Sequence, residues 1–155
     1  MKHEGAGGPI VALVKTPIYP MLVSSPIVCF VGALLTDITY SQTAEMMWAN
    51  FSVWLITFGL ILSGLGTLVA LLDFLRNRAI RAQSAAWLHV LGNLLVLLLS
   101  LCNVLVHSRD AWTSVVPTGL ILSTLVALLA FWTGWTGLAL IYRQAADAQT
   151  KGVFE

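Results

Sequence analysis

Three histidines, seven carboxylates and eight basic residues make up most of the titratable chemistry of this 155-residue chain, and few of them lie inside its apolar stretches. Those few are ordered. His89, Asn93, Ser100, Asn103 and His107 follow one another at steps of four, seven, three and four residues, which on a helix is a single stripe. An ionisable group costs several kcal/mol in hydrocarbon unless it is paired, so the stripe is expected to face protein. His89 and His107 are separated by roughly 27 Å of helix rise and cannot share one ligand.

Two carboxylates match the two ends of that stripe. Asp37 falls at the level of His107 and Arg109, and Asp73 near the level of His89 and Arg81. The sequence therefore predicts an outer polar cluster of Asp37, Asn103, His107 and Arg109 and an inner one of Asp73, Arg81, His89 and Asn93. One use of such clusters is structural, with interhelical hydrogen bonds worth about 1 kcal/mol each. A second is cofactor binding by His89 or His107. A b-type haem takes one or two axial ligands, which here would need a parallel dimer, or Met21 for His89 and Met46 or Met47 for His107. A quinone needs a donor and an aromatic wall, such as His89 with Trp132 and Trp135. A third use is proton or ion conduction through Asp37 with His107 and Asp73 with His89.

Catalysis by the chain alone is not expected. No H-E-x-x-H, G-x-S-x-G or P-loop string occurs, and Ser, His and Asp are not expected at compatible membrane depths with an oxyanion hole beside them, so no catalytic residue and no metal site is assigned. Cys29 and Cys102 are read as small core residues, too few for a disulfide framework. A net charge of +1 offers no footprint for nucleic acid.

The elements that must position these groups are four apolar stretches. With 58% hydrophobic and 10% charged residues and a mean hydropathy of +0.87, the chain cannot be a water-soluble globule. The expected class is an all-α polytopic membrane protein, a compact four-helix bundle with spans at about 21–38, 48–75, 84–107 and 117–142. Residues 1–20, broken by Pro9, Pro17 and Pro20, are expected along the membrane surface, and 145–155 as a cytoplasmic tail. Ser24 and Ser25 before Pro26 resemble a cap, as does Ser84.

Basic residues concentrate before span one (Lys2, Lys15), between spans two and three (Arg76, Arg78, Arg81) and after span four (Arg143, Lys151). That asymmetry puts both termini in the cytoplasm. Tyr19, Trp87 and Tyr142 then fall at the inner boundary, and Tyr40, Trp48 and Trp112 at the outer one. Small residues four apart are expected to let the helices approach: Gly59, Ser63 and Thr67 on span two; Ala130 with Gly134 and Thr133 with Gly137 on span four; Gly32 with Thr36 on span one.

The string Tyr19-Pro20-Met21-Leu22-Val23-Ser24-Ser25-Pro26-Ile27, followed by Asp37, resembles the H-P-x-x-V-H-F-P-I opening of a family of small bacterial four-helix membrane proteins of unknown function. Leu71-Leu72-Asp73-Phe74, Trp87-Leu88-His89 with Asn93, and Gly134 to Arg143 are similar to its later motifs, so the resemblance covers about Tyr19 to Ala146. Tyr19, Ser24, Ala139 and Gln144 stand where that pattern has His, His, Glu and His. The resemblance implies that any haem or metal held by those four groups is lost here, and it lends a link to redox proteins. The functional expectation is a non-catalytic bacterial inner-membrane subunit that anchors a quinone- or cytochrome-linked redox partner. The bilayer and either another subunit or a second copy of the chain would be its neighbours. The alternatives are an electron carrier using His89 or His107, with haem b or quinone as cofactor, and ion conduction.

Overall fold

A computed structural model describes residues 18–109 and 115–153, with side chains except at 18–20, 22, 73, 79 and 140–153. Helix α1 spans Ile18–Thr43, α2 Met46–Arg76, the one-turn α3 Arg78–Arg81, α4 Ser84–His107 and α5 Leu120–Val153, the last entered through a wide turn at Val115–Gly119. Four stretches are long and apolar enough to cross a bilayer: Val23–Thr43, Met46–Arg76, Ser84–His107 and Val115–Ala139.

The four long helices form a ring in which α1 packs on α2, α2 on α4, α4 on α5 and α5 back on α1. Adjacent helices run antiparallel, because only Ala44 and Glu45 join α1 to α2 and the loops beyond are short. The centre of the ring is an apolar layer of Phe30, Ala33, Ile56, Val96, Val126 and Ala130. Small residues allow the approach: a Cβ on Gly59 would lie 2.7 Å from the Phe30 ring, and Ser63, Thr67, Ala130 and Thr133 are buried. Trp54, Phe58, Leu91, Leu98, Leu128 and Phe131 point outward and cover the ring with apolar surface.

Several boundaries differ from those expected. Helix α1 does not begin at Pro26 but runs through it, and the Ser25 hydroxyl, instead of capping, donates to the Met21 carbonyl at 2.7 Å one turn back. Gln83, extended at φ −93° and ψ 123°, is the N-cap of α4, one residue before Ser84. Val116 is extended because the following proline disfavours the α region, so regular helix follows Pro117. Helix α5 continues past 142 to Val153. Tyr40 is buried against Ala49 and Val115, and Cys102 is exposed on the outside of α4 instead of packed in the core. Residues 1–17 and Trp112 lie outside the described residues.

Candidate functional site

The polar stripe of α4 faces the middle of the ring. His89, Ser100, Asn103 and His107 are buried and Asn93 is half-buried, with Val90 and Val96 buried on the same face. Its two ends make separate clusters, on either side of the apolar layer.

At one end Asp37 is fully buried and gathers groups from every long helix. His107 Nε2 is 2.9 Å from its Oδ1, the Ser52 hydroxyl of α2 donates to the same oxygen, and the Ser123 hydroxyl of α5 donates to Oδ2. Ser52 also lies 3.2 Å from the Ala33 carbonyl, while Asn103 donates to Ser123 at 2.9 Å. The His107 Nδ1–H donates to the Asn103 carbonyl at 3.0 Å, as it must, since a carbonyl cannot donate. The Asp37–His107 contact therefore holds one proton between two atoms, as imidazolium with carboxylate or as imidazole with carboxylic acid, and the pair is neutral either way. Asp37 and Ser52 flank the α1–α2 turn while His107 ends α4 and Ser123 opens α5, which fixes the up-down-up-down order of the ring.

Arg109 does not join this cluster. It follows the end of α4 and its side chain is exposed, while Asp37 has no accessible surface from which to reach it. Ser52 and Ser123, which sequence reasoning missed, take the place expected for it, and they bring Ser, His and Asp to one depth against expectation, with both hydroxyls donating to the carboxylate and not to the imidazole. Ser100 Oγ and Asn103 Oδ1 are buried without a protein partner.

At the other end His89 bonds along its own helix and across to α5. The Asn93 amide donates to His89 Nε2 at 3.0 Å and to the His89 carbonyl at 3.1 Å, and Nδ1 lies 3.4 Å from the Thr136 hydroxyl, itself donating to Thr133. With Nε2 accepting, the ring is the Nδ1–H tautomer, an assignment that follows from the bonding network. Gly137 lets the ring seat on α5: a Cβ there would fall 2.6 Å from His89 Cε1. Arg81 is exposed and turns away to donate to the Leu75 carbonyl, closing the end of α2, so it is not a partner of His89. The Asp73 side chain lies outside the described ones.

Beside His89 a cavity lined by all four long helices offers about 40 Å³ to the centres of water-sized molecules. Val23, Pro26, Thr67, Asn93 and Thr133 are among its walls. Most spanning hydroxyls, such as Thr36, Thr57 and Thr124, donate to a carbonyl one turn back; Thr67, which is 7% exposed, has no partner at all.

These residues do not fit an axial haem ligand as they stand, because both ring nitrogens of His89 and of His107 are committed to hydrogen bonds. Met21, Met46 and Met47 are exposed on the outside, and Trp135 is 70% exposed, so it does not wall the His89 cavity. Among the described residues no group of three or more His, Cys, Asp or Glu could hold a metal ion.

A family model described as predicted membrane protein (DUF2231) matches residues 15–150. No curated protein and no solved structure matches the chain.

Proposed function

This chain belongs to the DUF2231 family of predicted membrane proteins, and from that premise we propose that it is a non-catalytic subunit of the bacterial inner membrane that anchors a redox partner. The observation that carries the reading is the Asp37 cluster. Its carboxylate has no exposed surface and three partners on three other helices, the arrangement of a clamp that holds a scaffold together and not of a group that meets substrate. The end of the bundle that bears Arg76, Arg78, Arg81 and the last turns of α5 faces the cytoplasm in this reading, since basic residues near spans favour that side. The link to a quinone- or cytochrome-bearing partner rests on the family resemblance.

The test is purification of the tagged chain from its native membranes in mild detergent. A colourless chain that brings down, in fixed ratio, a protein with its own redox centre supports the proposal. A Soret band that vanishes in His89→Ala or His107→Ala replaces it with the electron-carrier alternative, which would require one of those rings to give up a hydrogen bond. A chain that is alone and colourless refutes anchoring. Conduction through both clusters would have to cross the Phe30 and Val96 layer, and pH-driven flux into liposomes that Asp37→Asn abolishes would support it.

A further inference from the structure

The cavity beside His89 does something that neither the clamp nor the anchor requires. It lies in the half of the bundle that ends at Arg76 and Ser84: Ala70 on α2 and His89 on α4 are each within roughly 9 Å of those helix ends, counted as helix rise. Its opposite wall is Phe30 and Val96, both members of the apolar layer. A cavity is wet when it is polar and roomy enough, about 10–15 Å³ of such space per water and two to four polar partners each. Here the space suffices for water. The partners are the unshared hydroxyl of Thr67, with Asn93 and Ser63 around the same space. An unbonded hydroxyl in a dry apolar hole would carry a desolvation cost of about 1–3 kcal/mol, which one bridging water removes.

We propose that this cavity is a hydrated vestibule: water enters from the Arg76–Ser84 end, bonds Thr67 and Asn93, reaches the edge of the His89 ring and stops at Phe30. The vestibule brings solvent to Thr67 and Asn93 and brings none to Asp37 or His107, which lie past the apolar layer. Its ligand class is water and neutral solutes of similar size.

Water-edited solid-state magnetic resonance of the labelled full chain in liposomes tests this directly, since it reads how fast polarisation passes from mobile water to each residue. Thr67 and Asn93 should build up several-fold faster than Ala33, Val126 and Ser123, which are buried and bordered by protein. Build-up at Thr67 and Asn93 as slow as at Val126 overturns the proposal. Thr67→Val, which keeps the volume and removes the hydroxyl, supplies the second reading. It should slow transfer to Asn93 while leaving Ala33 and Val126 unchanged; unchanged transfer at Asn93 together with a gain in stability would mean that the hole is dry, and would overturn the proposal as well.

Discussion

Replacing Asp37 separates the wiring of the clamp from its charge. In Asp37→Ala the hydroxyls of Ser52 and Ser123 and the Nε2 of His107 lose their common acceptor. Interhelical hydrogen bonds in membranes average ~0.6 kcal/mol and reach ~1.7, so three of them bracket a loss of about 2–5 kcal/mol. Truncating one member of a buried ion pair costs about 3–5 kcal/mol, which lies in the upper part of that bracket. Asp37→Asn behaves differently. With its amide nitrogen turned toward His107 Nε2, the carboxamide oxygen still accepts from Ser123, and Ser52 falls back on the Ala33 carbonyl at 3.2 Å. All groups keep a partner, so the expected loss is about 1 kcal/mol or less. Reversible unfolding in mixed micelles of rising SDS fraction, followed by tryptophan fluorescence, measures both. The reasoning is refuted if Asp37→Ala lies within about 1 kcal/mol of the parent, and equally if the Asn and Ala variants lose the same amount, since the charge and not the bonding pattern would then be what matters.

The same assay checks three further expectations. Gly137→Ala places a methyl 2.6 Å from His89 Cε1, and since that ring is held at both nitrogens the loss should be about 1–3 kcal/mol, largely relieved when His89→Ala is added. Ala44 closes α1 in the left-handed region at φ 57°, so Ala44→Gly should stabilise by about 0.5–1 kcal/mol; a loss would show that the methyl makes a contact worth more than the strain. Phe74 and Trp87 meet edge to face with centroids 4.8 Å apart, and a double-mutant cycle should return about 0.5–1.5 kcal/mol of coupling.

The spanning helices and the α4 stripe were legible because both rest on periodicity and length, which lipid enforces strictly. The Asp37–His107 pairing followed from depth alone. What depth could not supply was the identity of hydroxyl partners, because Ser and Thr are frequent in spanning helices and most of them bond their own backbone. A signal for Ser52 did exist: it and Asp37 are equidistant from the Ala44–Glu45 turn, so an antiparallel hairpin brings them level. Arg109 and Arg81 were misplaced for the opposite reason, since long cationic side chains near a helix end reach water or a free carbonyl more cheaply than a sealed carboxylate. Ser24 and Ser25 before Pro26 resemble a cap because the missing N–H of proline is free of cost in a first helical turn, yet α1 begins at Ile18 and keeps Pro26 inside.

Because one acceptor of the clamp comes from the first helix and one of its donors from the last, the order of synthesis acquires a meaning. Each rod is greasy enough to be released into lipid singly, but the acid delivered first stays incompletely coordinated until Ser123 emerges about 86 residues later. A nascent chain halted before that point would carry a buried-type carboxylate short of the donor that the last helix supplies.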